Sequence, residues 1–303
     1  MPPQARSPFI LQPDDGIFPG PLAAFMLTLA ALFATAIVVS ALGELNFIAA
    51  AGIGQVVGLG GVAILAARRV PPPHTERIGL RGFSPRLIVP LLCLLPVVIV
   101  VSEFDNWVRL VVPLSPEFEQ LRAEILEMTK MDSTYATIQT VIVAVGLSPV
   151  IEGFFFYGVV LQGLVARMGR ARGALVTAVL YSIVHFPASG TPGDALVPLA
   201  SALILGALIA LARLGSGSVL AAMLLAGAFA AVHLAAAQFA AEVPIPGFNA
   251  GGDHTPAVIV VPSMIAVLYG GWELWRRAAT AVANPPIPAR DPSESEDDGG
   301  FLF

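Results

Sequence analysis

Residues 134–168 read TYATIQTVIVAVGLSPVIEGFFFYGVVLQGLVARM, and apart from Glu152 the run carries no charge before Arg167. A stretch this long and apolar is read as membrane-crossing helix, since about 20 residues suffice for roughly 30 Å of hydrocarbon. Glu152 is the anomaly within it. Insertion scales put an acidic residue at the centre of a membrane helix at about 3 kcal/mol, so it persists where it is paired, wet or functional. The stretch therefore sets both questions, the fold and the site.

The rest of the chain agrees on the solvent. With 56% hydrophobic residues, 12% charged and a mean hydropathy of +0.81 over 303 residues, the composition is that of an all-α polytopic membrane protein rather than a soluble domain. One lysine, Lys130, and arginines scattered between apolar runs give no stripe for nucleic acid. The single cysteine, Cys93, lies in LLCLLP and reads as a small packed hydrophobe. Eight apolar runs are read as spans, roughly 20–43, 46–67, 87–104, 134–166, 172–187, 195–213, 217–240 and 256–275. The fourth exceeds one straight crossing, and Pro149 is expected to kink or split it. The fifth is short. Residues 1–19 are expected to be a flexible arm, 20–277 the transmembrane domain and 278–303 a disordered acidic tail. The first span is longer than a signal-peptide core and is read as retained. Between spans three and four, SPEFEQLRAEILEMTKMDS (115–133) sets Phe118, Leu121, Ile125 and Met128 on one face, which suggests an amphipathic helix on the outer surface.

Arginines fall in every second loop: Arg68 to Arg86, Arg167 to Arg172, Arg213, then Arg276 and Arg277. The positive-inside rule puts those loops and both termini in the cytoplasm, with a bacterial inner (plasma) membrane as the expected home. The lipid bilayer is then the first partner.

Few ionisable groups lie deep in these runs: Glu152, His185 and His233. Counted at 1.5 Å per residue from the nearest basic loop, Glu152 stands about 22 Å above Arg167, His185 about 20 Å above Arg172 and His233 about 30 Å above Arg213. Glu152 and His185 are level, and a carboxylate facing an imidazole in a water-containing cavity is a competent general-base pair. The bland alternative is a neutral structural hydrogen bond between them. Two histidines and a glutamate could also hold zinc or another divalent metal, although no HExxH spacing is present. Asp253 and His254, in the Gly- and Pro-rich loop 243–257, are read as a solvated outer turn, His74 as a surface residue, and GLGG at 58–61 as close helix packing.

IEGFFFYGVVLQGL resembles the first motif, EExxxRG, of the CPBP family of intramembrane proteases, which includes the CAAX prenyl endopeptidases and the Abi immunity proteins; YSIVH (181–185) resembles its FxxxH motif. The resemblance covers about 135–240. It implies that Glu152 is the water-activating base and His185 its partner, cleaving a peptide bond in a membrane-associated, prenylated protein or peptide. This sequence departs from the pattern where Gly153 stands for the second Glu and Tyr157 for the Arg. The last motif, HxxxN, falls on Ala226 and Ala230 by spacing from Ser218, or on His233 and Ala237 if the histidine is aligned. The depth count favours Ala226. Two functions stay open: an active endopeptidase using Glu152 and His185, with His233 as a third candidate, or a non-catalytic scaffold or immunity-type relative. A transporter using the carboxylate as a proton relay is a third class.

Overall fold

The computed structural model describes residues 18–42, 46–128, 131–186 and 191–283. The expected arm up to Asp15 and beyond to Ile17, and the tail from Asn284, lie outside the described residues. What is described is helical: α1 (Pro21–Ala41), α2 (Phe47–Ala67), α3 (His74–Ile78), α4 (Pro85–Val111), α5 (Pro116–Met128), α6 (Thr134–Met168), α7 (Arg170–Val184), α8 (Pro192–Ser216), α9 (Val219–Gln238) and α10 (Ala257–Ala283). Among the described residues, seven of these are long and apolar enough to cross a membrane. Of the eight runs in the sequence, the fifth falls short, because α7 has only 15 residues. Leu22, Phe33, Ile37, Leu65, Leu268 and Trp272 are exposed on the bundle's outside, as a hydrocarbon solvent permits. The last helix runs on past residue 277.

The helix does not split at Pro149. Helix α6 is continuous over 35 residues, and the strain is taken up in two π-helical stretches, Val141–Leu147 and Gly153–Val160, on either side of the proline. Such wider turns let a helix shed one i→i−4 bond without ending. Pro149 cannot donate to the Val145 carbonyl, and that oxygen faces Gly227 of α9, where an added Cβ would stand 2.8 Å away. Absence of a side chain at 227 lets α9 close on the proline turn.

Helix α6 is the axis of the core. Phe155, Phe156, Tyr157, Leu161 and Leu164 are all 1% exposed or less and pack with Leu94 and Val97 of α4, Tyr181 of α7, Ile209 of α8, and Ala222 and Phe229 of α9. Near one end, Gln162 Nε2 donates to the Phe18 carbonyl at 2.6 Å, so the start of the described chain is tied to α6. Gly54 and Gly58 of α2 lie against Thr35 of α1; of the GLGG run, Gly58 makes this close packing, and a Cβ added at Gly61 would meet nothing within 4 Å. Buried Arg213 of α8 donates to the carbonyls of Tyr157 and Arg77, each at 3.2 Å, joining α6, α8 and the α3 segment.

At the opposite end, Asp194 caps α8 and binds the entry of α5. Its carboxylate accepts from Ser115 N at 2.8 Å, Ser115 Oγ at 2.7 Å and Thr191 N at 2.6 Å. Helix α5 is the amphipathic element expected between spans three and four. The loop after α9 is not a free solvated turn. His254 Nδ1 lies 2.8 Å from Glu103 Oε1, Thr255 N donates to Glu103 Oε2 at 2.8 Å, and the His254 ring lies 4.5 Å from that of Trp107. Asp253 and His74 are exposed.

Candidate active site

Glu152 reaches its position because α6 is unbroken there: it ends the short α-helical turn Ser148–Glu152 and is the last residue before the second π stretch. It is 9% exposed. Across from it, His185 follows the last residue of α7 and places Nε2 3.7 Å from Glu152 Oε2. The two residues that depth counting set level are thus neighbours. His185 Nδ1 lies 2.9 Å from the Tyr181 carbonyl. A carbonyl only accepts, which assigns the ring proton to Nδ1 and leaves Nε2 facing the carboxylate. At 3.7 Å the pair is beyond a direct hydrogen bond.

One cavity of about 350 Å³ opens beside this pair. Its walls include Ser148 and Pro149 of α6, Leu205 and Ile209 of α8, and Ala226, Ala230 and His233 of α9. Both alignments of the last motif therefore meet the same space: Ala226 and His233 each line it. His233 is exposed, and its Nδ1 lies 3.2 Å from the Phe229 carbonyl, so its neutral ring would present Nε2 as an acceptor.

The residues that depart from the motifs have physical occupations. An added Cβ at Gly153 would stand 2.5 Å from Met223 Cγ and 3.4 Å from Met223 Cα. Tyr157 is 1% exposed, with its ring centre 6.0 Å from that of Tyr181 and 6.4 Å from that of Phe156. Its hydroxyl has no hydrogen-bond partner among the described residues. Among the described residues, no group of three or more His, Cys, Asp or Glu is arranged to hold a metal ion. Glu152, His185 and His233 are thus not such a group.

Sequence reasoning missed Gln55. From α2, its Nε2 donates to Glu152 Oε1 at 3.2 Å, and it lines the same cavity. The signal was available: counted from Arg68, Gln55 stands about 20 Å deep, level with Glu152 and His185.

A bundle of apolar helices enclosing a carboxylate, an imidazole and an amide around one cavity defines a polytopic membrane protein with a polar site built inside its core. Residues 134–232, which contain Glu152, His185, Ala226 and Ala230, match the family model described as type II CAAX prenyl endopeptidase Rce1-like. The match covers about a third of the chain, and over that segment the chain is similar to CAAX-protease-type intramembrane endopeptidases. Comparison with curated proteins and with solved structures returned no match.

Proposed function

We propose that the protein hydrolyses a peptide bond of a membrane-associated substrate, of the prenylated C-terminal class that the family's description names, with Glu152 as base and His185 as its proton partner. The observation that carries this reading is the 3.7 Å approach of the two side chains beside a 350 Å³ cavity within an apolar bundle. With Nδ1 bonded to the Tyr181 carbonyl, the pair works when it holds one proton in the form Glu152 carboxylate and His185 imidazolium. Water gives its proton to Glu152 as its oxygen bonds to the substrate carbonyl carbon. The C–N bond then breaks, and His185 Nε2–H protonates the leaving nitrogen. Transfer of the proton from Glu152 to His185 restores the starting state, so atoms and charge balance. Such acid–base assistance typically contributes 10²- to 10⁴-fold.

His233 is the weaker third member. Its Nε2 becomes a donor toward substrate only when the ring is charged. A second reading rests on Ala226 and Ala230: these cavity-wall positions carry no hydrogen-bond donor for an oxyanion, which suits a protein that binds a peptide without cleaving it.

The test uses the full chain in lipid nanodiscs with a farnesylated peptide, following release of its C-terminal fragment. Glu152→Gln keeps shape and hydrogen bonding but cannot act as base, so kcat should fall at least about 100-fold with the fold intact. The wild type should show a bell-shaped pH–rate profile, whose two limbs belong to the coupled pair rather than to either residue. Full activity in Glu152→Gln would overturn Glu152 as the base, whereas no cleavage by the wild type alongside saturable peptide binding would favour the binding-only reading.

A further inference from the structure

We propose that Gln55 is a positioning residue of the site: it clamps the Glu152 carboxylate and receives the second hydrogen of the attacking water. The inference rests on the hydrolytic reading above and adds to it a residue of α2, outside the family-matched segment 134–232.

Three observations converge on it. Gln55 Nε2 donates to Glu152 Oε1 at 3.2 Å, whereas His185 approaches the other oxygen, Oε2. Gln55 thereby holds one carboxylate oxygen by a hydrogen bond, while the imidazole stands 3.7 Å from the other. Second, Gln55 Oε1 is buried and has no hydrogen-bond partner among the described residues. A buried acceptor left unpaired is unfavourable, and this one belongs to a residue lining the cavity that Glu152 and His185 also line. Third, the local backbone aims the side chain. Gly54 and Gly58 turn their shared face to α1, so the next position, about 100° around the helix, faces α6. Gln55 also opens the π-helical stretch Gln55–Gly60, a widened turn of a kind frequent at functional sites.

The chemistry follows from what water can do. A water held by both groups donates one O–H to Glu152, which will remove that proton, and the other to Gln55 Oε1, which keeps it. Both hydrogens are then engaged and an oxygen lone pair is left pointing into the cavity, where a scissile carbonyl would sit. The amide neither gains nor loses a proton, so the balance of the hydrolytic step is unchanged. In this chain the amide supplies orientation that neither Gly153 nor Tyr157 provides.

The test compares the wild type, Gln55→Met, which conserves shape, and Gln55→Leu as a second variant should the methionine protein melt early, all as full chains in nanodiscs. Infrared difference spectra against Glu152→Gln isolate the Glu152 carboxyl bands without requiring turnover. Those bands should change in frequency in the Gln55 variants, kcat should fall about tenfold with KM held within about twofold, and the acid limb of the pH profile should be displaced. Unchanged Glu152 bands would overturn the clamp whatever the activity. Unchanged kcat and pH profile in a folded variant would overturn the water-positioning role. Bands that move in the Gln55 variants while the wild type cleaves no peptide would uphold the clamp and count against the hydrolytic reading alone.

Discussion

Gly153 occupies the place where the resembled motif has its second glutamate, and the space there is already taken. Met223 of α9 packs onto it, with Cγ 2.5 Å and Cα 3.4 Å from where a Cβ would be. Four residues on, along the same face, Tyr157 fills the arginine's place with a ring against Tyr181. Close packing fills both places, and the two departures belong together, because a glutamate or an arginine alone there would be buried unpaired. Gly153→Glu is therefore expected to destabilise by about 2 kcal/mol through overpacking rather than to raise activity. Adding Met223→Ala should recover most of that loss by opening the site. Thermal unfolding in nanodiscs decides it, and a single variant as stable as the wild type would show that α9 moves aside freely. At this scale the sequence disclosed Glu152 and His185, since isolated charges in apolar runs stand out and helical rise converts position into depth. Gln55 escaped attention because an uncharged amide among glycines carries no insertion anomaly, although the same arithmetic sets it level.

Helices were legible where hydropathy alone decides, and obscure where backbone geometry does. The spans of α1, α2, α8, α9 and α10 follow from apolar length, and the amphipathic α5 from its stripe of Phe118, Leu121, Ile125 and Met128. The continuity of α6 did not follow, because a proline marks a lost hydrogen bond and does not say how the helix absorbs it. Here the absorption is shared: π-helical turns on both sides of Pro149, and Gly227 of α9 standing open beside the Val145 carbonyl. A Cβ at 227 would come 2.8 Å from that backbone oxygen, which has no flexible side chain to yield. Gly227→Val should separate α9 from α6, costing about 3 kcal/mol or more in stability. Ala226 and Ala230 are cavity-wall residues on the same helix, so KM should rise along with the loss of stability. Gly227→Ala should show the same two effects at a smaller size. An unchanged melting temperature in the valine variant would mean that the proline turn does not depend on this contact.

Whether the whole molecule has both ends on one side turns on α7. Its 15 residues span about 22 Å, short of the hydrocarbon thickness, and taken alone it would leave seven crossings and termini on opposite sides. The contacts at its two ends argue otherwise. Helix α7 begins directly after α6, at Gly169, where a backbone φ of 80° turns the chain, and ends beside Glu152, partway up α6. Helix α8 then starts with Asp194 bound to Ser115, the residue that opens α5, and ends near Arg213, which donates to the carbonyl of Arg77. The 19 helical steps from 194 to 213 cover about 28 Å, a full crossing. A start of α8 at the α5 end makes α7 the candidate eighth crossing, which would put the basic loops containing Arg69, Arg172 and Arg213 on one side. Reporter fusions after Arg69, after Arg172 and in the C-terminal tail should all read cytoplasm, and fusions at Glu119 and Gly251 should read the opposite side. A cytoplasmic signal at Glu119 would break this arrangement. Opposite-sided signals from Arg172 and the tail would instead show that α7 turns back within the membrane, leaving His185 at the tip of a re-entrant hairpin.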